Sequence, residues 1–109
     1  MNYLTLNTGA KIPQAIFGVF QITDHDTCVN SVVSAIKAGY RAIDTAASYG
    51  NEKAVGEAIK TAIDQGLVKR EDLFVISKMW VQDMKNYEMA KKAIETSLEN
   101  LGLDYLDLY

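Results

Sequence analysis

The chain has 109 residues, with eleven Lys plus Arg against fourteen Asp plus Glu, and a single His, Cys and Pro. About half of it is apolar and about a quarter charged, the ordinary composition of a soluble globular domain with one core. A net charge of −3 without a basic run argues against a nucleic-acid partner, and no apolar stretch approaches the ~20 residues of a membrane span.

The first residues, Met1 to Asn7, lack the basic and apolar regions of a secretory signal. One Cys cannot close an internal disulfide, so a reducing compartment, the cytoplasm, is expected. Length also rules out a complete closed (β/α)8 barrel within these residues, since that needs about 250.

In chain order, Leu4 and Leu6 alternate with Tyr3 and Thr5, Asn7-Thr8-Gly9-Ala10 turns the chain, and Lys11-Ile12-Pro13 returns. This pattern predicts a small β-hairpin. The apolar run Ala15 to Val19 follows. Next, Val29, Val32, Val33 and Ile36 recur at i, i+3, i+4 and i+7, one face of a helix that Asp24, Asp26 or Thr27 can cap and Gly39 can end. Arg41 to Asp44 is a second short run. A second helix opens at Asn51-Glu52, places Val55, Ala58, Ile59, Ala62 and Ile63 on one face, and is followed by Gly66. Leu73 to Ser77 is the third run. A third helix opens near Asn86, carries Ala90, Ala93, Ile94, Ser97, Leu98 and Leu101, and precedes Gly102 and a last run, Tyr105 to Tyr109. The order is a hairpin and then β-α-β-α-β-α-β, with about 26 to 32 residues per repeat, the size of a βαβ unit. Short Ile-, Val- and Phe-rich runs in such alternation predict an α/β fold with a buried parallel sheet and right-handed crossovers.

Sites in parallel α/β folds form at the carboxyl ends of the strands. That rule selects Gly18-Val19-Phe20-Gln21, Asp44 to Asn51, and Lys78-Met79-Trp80. Asp44 closes an apolar run and reads equally as a turn residue. Lys78 emerges from Phe74-Val75-Ile76-Ser77 and needs a partner for its ammonium, for which Asp44 on the neighbouring strand is the obvious choice. A plain structural ion pair would explain both residues. Tyr49 on the same face sharpens the pattern. A free phenol titrates near ~10 and is a weak acid at neutral pH, whereas an adjacent ammonium favours the phenolate. Tyr49 is then suited to protonate a carbonyl oxygen, with Asp44 keeping Lys78 charged and aimed. No side chain donates hydride, so a nicotinamide or flavin is implied.

Other motifs are missing. No two glycines lie two apart, so the Gly-x-Gly-x-x-Gly fingerprint and the Walker loop are absent, and one Cys with one His makes no zinc cluster. Cys28, one turn before Val32, reads as a small buried residue. His25 between two aspartates reads as a solvated helix-start residue.

Gly39-Tyr40-Arg41-Ala42-Ile43-Asp44-Thr45-Ala46, five residues that include Tyr49, and then Glu52-Lys53-Ala54-Val55-Gly56 resemble the N-terminal signature of the aldo-keto reductases. Leu73 to Trp80 resembles that family's third strand with its lysine, and Ser97 to Tyr109 its third helix and fourth strand. The opening hairpin is similar to the one that plugs the bottom of the family's barrel. The resemblance implies that residues 1–109 are the N-terminal half of a TIM (β/α)8 barrel, ending after the fourth strand.

It further implies NADPH-dependent reduction of aldehydes or ketones to alcohols, on a small-molecule carbonyl substrate. Asp44, Tyr49 and Lys78 would be three members of the catalytic tetrad. Gly18, Val19, Phe20 and Asp44 would lie beside the nicotinamide ribose, and Phe20, Tyr49 and Trp80 would line the substrate pocket. The family often has Thr-Trp where this chain has Val19-Phe20, a departure that bears on one ribose hydrogen bond and not on the fold. The fourth member is a histidine shortly after the fourth strand, beyond Tyr109, and later loops hold most of the cofactor. The chain alone is therefore expected to be inactive, and to self-associate or require its C-terminal half through the open strand edges. The alternative is a catalytically incomplete piece that serves in assembly or binding.

Overall fold

The computed structural model describes residues 2–109. Strands β1 (Tyr3–Thr5) and β2 (Lys11–Pro13) form the antiparallel hairpin, with Leu4 opposite Ile12. Leu6 belongs to the connecting turn and not to the strand, because its N–H and carbonyl bond Ala10 and Gly9 across that turn. Strands β3 (Ile16–Gly18), β4 (Ala42–Asp44) and β5 (Phe74–Ile76) make a parallel sheet in that order. Gly18 pairs with Asp44, and Asp44 with Ile76, so the strands end level with one another.

Helices α1 (His25–Lys37), α2 (Glu52–Asp64) and α3 (Tyr87–Leu101) supply the crossovers. The caps follow local chemistry. Asp24 accepts from the Thr27 N–H at 2.9 Å, and Asn86 from the Met89 N–H at 2.9 Å. Gly102 ends α3 at φ 66°, a left-handed conformation that is strained for any residue with a side chain.

Alternation along the strands sorts residues between two faces. Phe17, Ile43 and Val75 point to the helices and join one core with Val32, Ile36, Val55, Ile59 and Leu101. Ala42, Phe74 and Ile76 point the other way and are covered by Leu6 and Ile12 of the hairpin segment. The hairpin thus closes one face of the sheet, and Phe74 and Ile76 are only 7% and 8% exposed. Ile16 on the outer strand β3 stays 42% exposed. Helix α2 approaches α3 closely at Gly56, which is buried against the Leu101 backbone.

The last run corrects the sequence reading. Tyr105 to Tyr109 does not form a strand but makes a single parallel bridge, Ile76 to Leu108. The cause is local: the Asp107 carboxylate takes the Val75 N–H at 2.8 Å, where a neighbouring strand would offer a backbone carbonyl. Arg70 anchors the same carboxylate at 3.0 Å and stacks on Tyr105. Among the described residues no helix is long and apolar enough to cross a membrane.

Candidate active site

The level strand ends collect the polar residues. After Asp44 the chain passes Thr45 and Ala46, makes one 3-10 turn at Ala47–Tyr49, and reverses at Gly50 (φ 71°) into Asn51 and α2. Bonds to the neighbouring strand hold this segment, Thr45 N–H to the Ile76 carbonyl at 2.9 Å and Ala47 N–H to the Lys78 carbonyl at 3.0 Å. Tyr49 is therefore carried over the end of β5, next to the residue that follows Ser77.

That residue is Lys78. Its Nζ donates to an Asp44 carboxylate oxygen, to the Thr45 carbonyl at 3.0 Å and to Tyr49 Oη at 3.5 Å. The ammonium also lies 5.2 Å from the centre of the Tyr49 ring. Partial burial works to lower the lysine's affinity for its proton, but the hydrogen bond and charge of Asp44, aided by Tyr49, outweigh it. The net result is a Lys78 pKa above the ordinary lysine value, so the ammonium is charged at neutral pH. The geometry brings Asp44, Tyr49 and Lys78 together from two strand ends and one turn.

The other sequence candidates are distributed differently. Phe20 is 67% exposed and its ring centre lies 5.1 Å from that of Tyr49. Gly18 is exposed beside Asp44, and the position of a Cβ there is open space. Val19 follows Gly18 at the same strand end. Its side chain is fully buried in the helix-side core, its N–H donates to the Asp44 carbonyl at 3.2 Å, and its own carbonyl accepts from Ile22 and Asn51. Every polar group of Val19 is spent inside the fold. Trp80, two residues past Lys78, is 44% exposed and stacks on neither Phe20 nor Tyr49. His25 starts α1 and bonds Glu57 of α2 on the outer surface, while Cys28 is buried, with its thiol pKa pushed up by desolvation.

For two residues at the site, Asn51 and Glu52, sequence reading located the place but not the partners. Asn51 stands at the N-terminal boundary of α2, where a cap is the natural assignment, yet its side chain makes no cap bond. Its Oδ1 accepts from Thr45 Oγ1 at 2.6 Å, and its Nδ2 donates to the Val19 and Ile22 carbonyls at 2.9 and 3.1 Å. Glu52 is buried, with its carboxylate accepting from Ser77 Oγ at 2.6 Å. That bond fastens the start of α2 to the end of β5. A carboxylate in a helix's first turn carried a signal of helix polarity but none of its partner.

The family model of the aldo/keto reductase family matches residues 16–109. The chain belongs to the aldo/keto reductase family. Among curated relatives of this aldo/keto reductase chain, an uncharacterized oxidoreductase of Bacillus subtilis is 52% identical over 96% of the chain and 37% of its own length. The NADPH-dependent D-xylose reductase of Candida boidinii is 48% identical over 97% of the chain and 32% of its own length. A crystal structure of an aldo-keto reductase from Bombyx mori in complex with NADP superposes with a TM-score of 0.92 at 42% identity, covering 99% of the chain and 36% of that structure. The chain thus spans about a third of the length of the relatives it matches. Its fold is the corresponding part of an aldo-keto reductase (β/α)8 barrel, an α/β unit with a parallel sheet that does not close on itself.

Proposed function

We propose that this chain supplies the Asp, Tyr and Lys of an NADPH-dependent reductase that converts aldehydes or ketones to alcohols. The observation that carries the reading is the position of Lys78 Nζ, held by Asp44 and the Thr45 carbonyl and 3.5 Å from Tyr49 Oη at the carboxyl ends of the strands. Tyr49 Oη donates its proton to the carbonyl oxygen of the substrate as negative charge develops there. Lys78 stabilises the charge left on Oη, and Asp44 holds the ammonium in place.

The residues present suit the nicotinamide end of such a cofactor. Gly18 leaves its strand end open, Phe20 offers an exposed aromatic wall, and Asp44 retains acceptor capacity beyond its bond to Lys78. When bound, a reduced nicotinamide supplies the hydride that carbonyl reduction requires. Gly18, Phe20 and Asp44 would flank it, and Phe20, Tyr49 and Trp80 would bound the substrate. A buried lone cysteine agrees with a cytoplasmic setting.

The test is Tyr49→Phe in a complete chain that carries these residues, with NADPH and D-xylose or another aldehyde. Turnover should fall by orders of magnitude while NADPH affinity and fold stay nearly constant, since ring volume is kept. Turnover within a few fold of the parent would remove Tyr49 from the acid role.

A second reading concerns the 109 residues alone, as an assembly or binding piece. The exposed Ile16 on β3 and Leu108 beside β5 favour it, being apolar groups at both sheet edges. Sedimentation of the chain should reveal association, with no NADPH-dependent turnover until the remainder of the barrel is added. A monomer that reduces an aldehyde unaided would overturn it.

A further inference from the structure

We infer that Asn51 is a positioning residue, whose carboxamide clamps the turn that carries Phe20 and so sets Phe20 against Tyr49. Residues Val19 to Ile22 form a turn closed by the Ile22 N–H to the Val19 carbonyl at 3.1 Å. Phe20 and Gln21 are its central pair. Gln21 has φ 67°, a left-handed conformation that a type II turn requires at its third position and that favours glycine. A glutamine there is strained, so the surrounding structure must hold the turn. Asn51 Nδ2 does so from both ends, donating one hydrogen to the Val19 carbonyl and the other to the Ile22 carbonyl. Asn51 is 4% exposed, so water competes poorly for these bonds.

The orientation of the amide follows from its third bond. Thr45 Oγ1 donates to Asn51 Oδ1, which leaves the nitrogen facing the two carbonyls. Thr45 also offers its backbone carbonyl to Lys78 Nζ. One buried amide therefore joins the turn that bears Phe20 to the strand end that holds Lys78. The side chain leaves the α2 N-terminus uncapped in doing so. What Phe20 is held for rests on the reductase reading, but the clamp itself does not.

The variants belong in a complete chain carrying these residues. Asn51→Asp keeps an acceptor for Thr45 but turns a carboxylate oxygen on the two carbonyls. Amide hydrogen exchange at Ile22 should accelerate about tenfold or more, with Ile43 in β4 unchanged. Gln21→Gly relieves the strain, and in the double variant should restore most of the protection. Thr45→Val frees the amide while leaving the Thr45 backbone carbonyl in place for Lys78, and should speed Ile22 severalfold. With an aldehyde and NADPH, Asn51→Asp should raise KM more than it lowers kcat, and Gln21→Gly should reverse that. The assignment is overturned by an Ile22 amide already unprotected in the parent, by equal acceleration at Ile43, by an Asn51→Asp chain that unfolds and is not rescued by Gln21→Gly, or by Thr45→Val leaving Ile22 unchanged. A parent chain without carbonyl turnover would count against the reductase reading alone, because the exchange readout needs no activity.

Discussion

Gly56→Ala sets two physical effects of opposite sign against each other. Within a helix the change from glycine to alanine gains about 1 kcal/mol, because the unfolded chain loses freedom. Gly56 is buried, however, and a Cβ there would lie 2.3 Å from the Leu101 carbonyl oxygen, 2.7 Å from its carbonyl carbon and 2.8 Å from its Cα. Carbon contacts settle near 3.5–4.0 Å, so α2 and α3 must part by about 1 Å along that line. The obstacle is backbone, so no rotamer can swing aside. Parting also loosens Leu101, which is 2% exposed in the seam. Overpacking costs about 1–3 kcal/mol, and a backbone obstacle puts it at the upper end. The expected net loss is about 2 kcal/mol after the helix gain. Urea denaturation of the complete chain reads it as a lower midpoint at unchanged slope, and thermal melting as a fall of several degrees. Stability equal to or above the parent would refute the close approach of the two helices.

Lys78→Met and Asp44→Asn should each reduce kcat/KM, and the double variant should be far less damaging than the two effects combined, because both act through one hydrogen-bonded unit; full additivity would make the ion pair merely structural. The Lys78 pKa is raised on folding, so the pair's contribution is complete below the ordinary lysine value and is lost as pH climbs through the raised one. Alkaline unfolding curves of the parent and Lys78→Met should therefore converge at high pH and stay apart at neutral pH, whereas a constant gap would refute the link.

Much of the architecture is legible in the residue order because it rests on short-range physics. The 3.6-residue spacing of Val29, Val32, Val33 and Ile36, the Asn86 cap and Gly102 mark helices without any knowledge of partners. The runs Ala15 to Val19, Arg41 to Asp44 and Leu73 to Ser77 mark strands, and the βαβ alternation makes them parallel, so Asp44 and Lys78 must approach each other at their ends. The family resemblance rests on the same local segment, Gly39 to Gly56, and the match over residues 16–109 agrees with it.

Only the tertiary structure decided the rest, since it depends on which distant group reaches a polar atom first. Asp107 reads as a strand residue, yet its carboxylate takes the Val75 N–H and leaves a single bridge where a strand was expected. Val19 follows Gly18 at a strand end, and only the packed fold shows its side chain in the helix-side core with both of its backbone groups bonded. Asn51 reads only as the residue at which a helix opens, yet two carbonyls some thirty residues earlier in the chain claim its amide. A buried polar group must find partners, and residue type alone cannot name them, because they come from elements that meet only when the sheet and helices have packed.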